Sequence, residues 1–210
     1  MEVARFINEP VPSNCYVIYD SSTIDGVCIV VDPGSRNNTE LLSYLKENSL
    51  TPQYIVLTHE HFDHIWGVNE LVLIYKVPIV CSKLCSLRIK DSFDNCSAMY
   101  DDNMAVVIDG ATISIESIGY KLIFCGSQLE FYETPGHSDA SVCFVLNGCL
   151  FTGDALLKDL KTVTKLPTGS KEKQRYTLRN LYTMQGQGLI VYPGHGDSFD
   201  LDGYDLSKAL

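Results

Sequence analysis

The sequence has no long apolar run and little positive charge. Apolar stretches such as Val27–Val31 and Leu71–Tyr75 are only five residues long, whereas a helix that crosses a membrane needs about 20. Met1–Pro10 also lacks the basic and then apolar order of a secretory signal. We therefore expect a cytoplasmic protein that has no membrane partner.

Only 16 Lys and Arg residues stand against 26 Asp and Glu residues, so the formal net charge is −10. Proteins that bind nucleic acid neutralise phosphates with basic side chains, so we expect no nucleic-acid partner. The 210 residues contain no internal repeat and no Pro- or Ser-rich linker, and this length suits one domain. The sequence therefore predicts a single domain over residues 1–210.

None of the eight cysteines belongs to a CxxC pair, and several, such as Cys28 and Cys143, lie inside apolar, strand-like runs. A free cysteine packs as a small hydrophobic residue, and thiols stay reduced in the cytoplasm. We expect core cysteines rather than a disulfide framework.

Hydrophobic periodicity predicts strands that alternate with helices in some places and with hairpins in others. Residues 91–103 are expected to form an exposed loop, and hairpins are expected from Ala111 onward. This pattern indicates an α/β (α+β) fold in which mixed β-sheets carry helices on their outer faces. The predicted strands cover 14–19, 27–31, 54–57, 77–81, 112–116, 121–125, 129–133, 141–146, 149–152 and 189–192, and the predicted helices cover 38–48, 68–75 and 171–184.

Three of the five histidines lie in the segment THEHFDH, residues 58–64. Shuffling the composition would produce the spacing H-x-H-x-D-H about 2 times in 10,000, so the signal is specific. Imidazole and carboxylate groups are typical zinc ligands. On an extended chain His59, His61 and Asp63 face one side and His64 another. One loop can thus serve two ions, with His59 and His61 on the first and Asp63 and His64 on the second.

The remaining candidate ligands follow other strand-like runs. His137 lies in TPGHS and His195 in YPGHG, each after a Pro-Gly turn, and Asp154 ends the segment FTGD. Each side chain should therefore lie at the edge of a sheet.

These motifs resemble the metallo-β-lactamase superfamily, and within it the glyoxalase II-like hydrolases. The likeness runs from NCYVIY and VVDPG through THEHFDH, TPGHS and FTGD to YPGHG. It implies an αββα sandwich with the metals at one edge of the two sheets. It further implies that His59, His61 and His137 hold the first metal ion, that Asp63, His64 and His195 hold the second, and that Asp154 bridges them.

The resemblance implies a hydrolase with two divalent metal ions. Zinc is the metal expected first, and iron and manganese are the alternatives. A bridged pair can lower the pKa of bound water to about 7 and so provide a bridging hydroxide as nucleophile, which Asp63 would orient. Because His64 and Asp154 are both present, the β-lactamases proper are disfavoured. We expect hydrolysis of a small thioester or ester, and lactone or phosphodiester cleavage stays open.

Two alternatives remain. A mononuclear iron sulfur (persulfide) dioxygenase shares this scaffold and most of these ligands, and metal content with oxygen uptake would distinguish it. A metal-stabilised module without activity is disfavoured because no ligand position is substituted.

Three further residues are candidates outside the ligand set. Asp32 in VVDPG either orients the metal loop or forms a turn before Pro-Gly. The basic residue that the glyoxalase II likeness places near Val163 is missing, but Lys161 and Lys165 flank that position. The helical glutathione-binding domain of glyoxalase II is not expected after His195, so whether glutathione forms part of the substrate stays open.

Positive charge is concentrated near the bridging carboxylate. Residues 158–179 contain seven of the sixteen basic residues and two acidic ones, a local charge of +5. Such a rim raises the local concentration of anions, so we expect a small anionic substrate that contacts Lys161 and Lys165. Trp66 and Tyr192, beside the ligands, are expected to serve packing.

Overall fold

The computed structural model describes residues 1–22, 26–100, 105–117 and 119–209. Within these residues the chain forms two six-stranded sheets. The strands of the first sheet, in spatial order, are β1 (Glu2–Ile7), β2 (Asn14–Tyr19), β3 (Val27–Val31), β4 (Thr51–Val56), β5 (Ile79–Cys81) and β6 (Thr112–Ser114). The second sheet contains β7 (Lys121–Phe124), β8 (Ser127–Glu133), β9 (Val142–Leu146), β10 (Cys149–Gly153), β11 (Ile190–Pro193) and β12 (Phe199–Asp200).

Both sheets are mixed. In the first sheet β1, β2 and β3 pair antiparallel, and β3 to β6 pair parallel. In the second sheet only β10 and β11 pair parallel. The parallel pairs matter for the site because the carboxyl ends of parallel strands meet at one sheet edge.

The helices lie between the strands along the chain. Two of them begin at a serine whose hydroxyl accepts a backbone N–H: Ser82 from Cys85, and Ser170 from Lys173. The helices are α1 (Thr39–Glu47), α2 (Phe62–Ile65), α3 (Val68–Tyr75), α4 (Lys83–Arg88) and α5 (Lys171–Tyr182), with 3₁₀ turns at Ser97–Met99 and Leu206–Ala209.

Alternating side chains on the strands build three apolar layers. Ile18 and Ile29 point between the sheets and pack in one cluster with Phe144 of the second sheet. Their neighbours Val17 and Val30 face the other way, into a cluster with apolar side chains of α1 and α3. A third cluster joins the second sheet to α5. The order helix, sheet, sheet, helix confirms the expected αββα sandwich.

Several predicted elements match closely, and others need correction. The bounds of β2 and β3 agree with the prediction, whereas β1 was not predicted. Strand β6 does not belong to a hairpin, because it pairs parallel with β5 at the edge of the first sheet. The segment 91–103 is not wholly exposed, since Asn95 and Ser97 are buried, and residues 101–103 lie outside the described part.

Six of the eight cysteines are buried free thiols, as expected, namely Cys15, Cys28, Cys81, Cys85, Cys96 and Cys143. In the described part of the chain, no helix has the length and apolar character that crossing a membrane requires.

Candidate metal centre

The predicted metal loop follows β4 at the carboxyl edge of the first sheet, and Asp32 holds it there. Thr58 donates two hydrogen bonds to Asp32, from its backbone N–H to Oδ1 (2.8 Å) and from its hydroxyl to Oδ2 (2.6 Å). His64 Nδ1 lies 3.1 Å from the same Oδ2. Asp32 comes directly after β3, which pairs parallel with β4. These contacts favour the interpretation of Asp32 as the residue that orients the loop.

The loop changes conformation between its second and third candidate ligands. His61 is extended (φ −62°, ψ 144°), and helix α2 begins at Phe62. Strict alternation therefore ends at His61, and the expectation that Asp63 shares a side with the first two histidines is wrong. Asp63 lies instead beside His64, with 3.6 Å between Oδ2 and Nε2. This change of conformation agrees with the expectation that His59 and His61 bind one ion and that Asp63 and His64 bind another.

The first group consists of His59, His61 and His137, whose candidate ligand atoms all lie within 4.8 Å of one another. His61 Nδ1 is 2.8 Å from His137 Nε2. His137 Nδ1 donates to the carbonyl oxygen of Val163 (2.7 Å), which leaves Nε2 with a free lone pair. His59 Nδ1 is 3.0 Å from the Thr58 hydroxyl. A hydrogen bond at the far nitrogen is typical of metal-binding histidines.

The second group consists of Asp63, His64 and His195, again within 4.8 Å. His195 Nε2 is 3.4 Å from Asp63 Oδ2, and its Nδ1 donates to the carbonyl oxygen of Pro12 (3.0 Å). For His64, the hydrogen-bond partner of Nδ1 is Asp32. Asp32 also lies close to His59 and His64, but both of its oxygens accept the hydrogen bonds described above, so we assign it as an orienting group.

Asp154 lies between the two groups, directly after β10. Its Oδ2 is 3.4 Å from His137 Nε2 of the first group and 3.4 Å from His195 Nε2 of the second. Its Oδ1 is 3.6 Å from His64 Nε2. A carboxylate in this position can bridge two ions.

Several buried polar atoms of the cluster have no hydrogen-bond partner among the residues that the structure describes. They include Nε2 of His59, Nε2 of His64 and Oδ1 of Asp154. Such groups cost free energy when they are buried unpaired, and a metal ion would satisfy lone pairs of this kind. The donor set therefore fits divalent metals.

The two groups differ in protonation. Burial, together with the neighbouring imidazoles, lowers the pKa of His59 well below its usual range and that of His61 to about 3. Burial also opposes the charge on His64 and His195, but nearby carboxylates, chiefly Asp63 for His64 and Asp154 for His195, raise their pKa values to about 9 and about 11. His59 and His61 thus offer neutral imidazoles, which metal binding requires.

Glu60 links the loop to Ser138, the residue that directly follows His137. It is fully buried between His59 and His61 and accepts hydrogen bonds from the Ser138 hydroxyl (2.6 and 2.8 Å) and from Arg88 Nη1 (3.1 Å). Arg88 also forms an ion pair with Asp139. No role was predicted for these residues, and only the regular alternation of Glu60 with the two histidines could have indicated one.

Gly194 was also not predicted as part of the site. A Cβ atom there would lie 2.2 Å from Asp154 Oδ1 and 2.9 Å from His64 Cε1. Because Gly194 has no Cβ atom, the Asp154 carboxylate can occupy this space.

The lysines do not line the cavity over the metal cluster. That cavity, of about 390 Å³, has the metal-binding side chains as its floor and shares Val163 with a second one of about 400 Å³. Lys161, Lys165 and Lys171 line the second cavity. Tyr192 packs on Phe151, with ring centroids 5.0 Å apart.

Comparison with known proteins agrees with this geometry. The family model of the metallo-β-lactamase superfamily matches residues 8–195. The uncharacterised protein ML0493 of Mycobacterium leprae is 31% identical over 196 residues, which cover 88% of this chain and 87% of that protein. The probable metallo-hydrolase YqgX of Bacillus subtilis is 29% identical over 194 residues, 91% of this chain and 89% of its own.

Two further similarities concern function. A hydroxyacylglutathione hydrolase of Citrobacter koseri is 28% identical over 173 residues, which cover 82% of this chain but 59% of that enzyme. The crystal structure of the BLEG-1 B3 metallo-β-lactamase superposes with a TM-score of 0.84 at 26% identity, covering 95% of this chain and 94% of that one. The chain therefore belongs to the metallo-β-lactamase superfamily, as a metal-dependent hydrolase.

Proposed function

We propose that this hydrolase cleaves a small thioester or ester and uses two divalent metal ions, zinc in the first instance. The observation that carries the proposal is the position of Asp154, whose carboxylate faces both groups of histidines. His59, His61 and His137 would hold the first ion, Asp63, His64 and His195 the second, and Asp154 would bridge them.

When bound, such a pair of ions activates water and polarises a carbonyl group. The chain's own residues would position the reactants. Asp63 can bind an ion through one oxygen and accept a hydrogen bond from the attacking water through the other. The hydrogen bonds to Val163, Pro12 and Asp32 fix the imidazole rings of the ligands, so the site is already ordered when the substrate arrives.

A thioester is favoured among carbonyl substrates for two reasons. The similar enzyme of Citrobacter koseri acts, by its name, on a hydroxyacylglutathione, which is a thioester. A thiolate is also a leaving group of low basicity, so it requires little help from a general acid.

The cavity lined by Lys161, Lys165 and Lys171 supports an anionic substrate. It adjoins the metal cavity at Val163, so a carboxylate or phosphate remote from the scissile bond could reach it. Three positive charges at one opening attract such groups, and salt weakens the attraction.

Metal analysis and a substrate panel test the proposal together. The protein, purified without chelator, should contain two ions per chain and should hydrolyse thioesters faster than lactones, phosphodiesters or a cephalosporin. The cephalosporin belongs in the panel because of the likeness to BLEG-1. A single iron with oxygen uptake on glutathione persulfide would instead establish a sulfur dioxygenase.

The lysines have their own test. Changing Lys161 and Lys165 together to Glu should raise KM for an anionic thioester several-fold, with metal content unchanged and KM for a neutral ester little affected. The matched control changes Arg175 and Arg179 to Glu, which alters the net charge equally on helix α5. Equal effects of the two double variants would show that the lysines act only as surface charge.

A further inference from the structure

The walls of the metal cavity are apolar, although its floor is polar. Six side chains from four segments of the chain form these walls, namely Val11, Phe62, Met99, Tyr100, Val163 and Leu166. Among the described residues that line it, the metal-binding side chains supply the only charged groups, and no Lys or Arg takes part. Apart from the Tyr100 hydroxyl and the weakly polar Cys96 thiol, the side chains that form these walls offer no hydrogen-bond partner to a polar or charged substituent.

Three of the wall residues keep much of their apolar surface in contact with solvent. Met99 is 53% exposed, Val163 51% and Leu166 37%. Exposed apolar side chains are ordinary when they are scattered, but these converge on one opening above a cluster of metal ligands. Apolar pockets that hold a few convergent polar groups are the usual form of a small-molecule site.

An aromatic cluster fixes one wall relative to the ligands. The Phe62 ring packs on Trp66 and on Tyr100, with ring centroids 4.8 and 5.2 Å apart. The Phe62 backbone N–H donates to the carbonyl oxygen of Asn95 (3.0 Å). Because Phe62 directly follows His61, this wall is fixed close to the ligands of the first group.

We infer that this cavity selects substrates whose acyl group is apolar, such as an alkanoyl chain, over hydroxyacyl or carboxyacyl groups. The inference rests on the proposed hydrolysis, because it places the scissile carbonyl over the metal ligands. The acyl chain then lies against Phe62 and Leu166. The anionic leaving group extends past Val163 towards the lysine cavity.

A series of thioesters of one thiol tests this selection. With acetyl, butyryl, hexanoyl and lactoyl groups, kcat/KM should rise up to about fourfold for each added methylene, which corresponds to ~0.8 kcal/mol per buried CH₂. The lactoyl thioester should be a poorer substrate than the butyryl thioester. A flat series, or a preference for lactoyl, would overturn the inference while leaving thioester hydrolysis intact.

A variant pair locates the effect. Leu166→Asp places a charge on the wall and should reduce the hexanoyl-to-acetyl ratio of kcat/KM at least about tenfold, since two or more methylenes lose their apolar contact. Leu160→Asp is the matched control, because Leu160 is also exposed (51%) but does not line the cavity. An equal loss of the ratio in both variants would contradict the assignment of this wall.

A binding measurement separates this inference from the proposed function. Trp66 is the only tryptophan of the chain, and its ring packs on two wall residues, so its fluorescence reports on the cavity. Acetate, butyrate and hexanoate should bind the metal-loaded protein with rising affinity. If affinity rises in this way but no thioester or ester is hydrolysed, the apolar subsite is supported and the proposed reaction is contradicted. If hydrolysis occurs but affinity does not rise with chain length, the apolar subsite is contradicted and the proposed reaction is not.

Discussion

The two halves of the chain contribute to the metal centre in different ways. The first half supplies four candidate ligands from one short loop, His59 to His64, after a single strand. The second half supplies three, His137, Asp154 and His195, from three strand ends. The loop is positioned by local partners, of which Asp32 is the first, whereas the second-half ligands are positioned by strand pairing: Gly153 pairs with Pro193, which brings Asp154 next to His195.

The two halves should therefore respond differently to substitution. A change in the loop should act through the side chains that orient it and should weaken both ions. A change at one strand end should act on one ligand and leave the rest in place. Four variants or conditions separate these cases.

The largest effect is expected from Asp154→Ala. Loss of an outer hydrogen-bond partner typically costs 10- to 100-fold in metal affinity or activity, and a shared ligand should cost more than about 100-fold in kcat. Metal content should fall towards one ion per chain. Asp197→Ala is the control, because this carboxylate is exposed and, among the charged groups of the described residues, forms an ion pair with Arg5 alone. Full activity with two ions in Asp154→Ala would rule out the bridging assignment.

The second largest effect is expected from Asp32→Ala, which should weaken metal binding about 10- to 100-fold. It removes the acceptor for Thr58 and for His64 together, so both ions should be affected, measured by competition with a chelator. Asp32→Asn keeps one acceptor oxygen, so its metal affinity should fall less than that of Asp32→Ala. If only the second ion weakens, the loop is not positioned as a unit.

Gly194→Ala tests a strand end of the second half. The added methyl group overlaps Asp154, and overpacking costs about 1–3 kcal/mol of unfolding free energy. The second ion should be lost before the first. Gly203→Ala is the matched control, since its Cβ would meet no atom within 4 Å. Equal melting temperatures and equal metal content for the two variants would contradict the close approach.

The smallest effect concerns the metal-free protein as pH changes. His59 and His61 have lowered folded-state pKa values, so below their usual 6.5 the unfolded chain binds more protons and stability falls as pH falls. His64 and His195 have raised values, about 9 and about 11, so their contribution is complete below 6.5 and is lost as pH rises. Stability should therefore be greatest near pH 6.5 and should decline on either side by up to about 1.4 kcal/mol per pH unit for each of the two histidines involved.

The matched variant for this measurement is His61→Gln, studied by thermal unfolding with chelator present. It should reduce the slope of the acid side, to which His59 still contributes, and leave the alkaline side unchanged. A profile that is flat in both proteins would contradict the opposite pKa shifts of these two pairs of histidines.

The sequence predicted most of what is local and less of what is long-range. Strands β2 and β3 were predicted with their bounds because apolar runs define them. The alternation in β6 is the same in a hairpin and in a parallel edge strand, so its partner β5 could not be predicted. The role of Glu60 depends on Arg88, 28 residues further along the chain, and no local pattern encodes that contact.

Val163 contributes to this centre through its backbone and, separately, through its side chain. Its backbone carbonyl accepts the hydrogen bond of His137, and its side chain stands between the two cavities. Any amino acid at this position supplies the same carbonyl, so the side chain can be exchanged without loss of that hydrogen bond. Over evolutionary time, substrate preference can therefore diverge at position 163 among descendants of this chain while the ligand it supports stays the same.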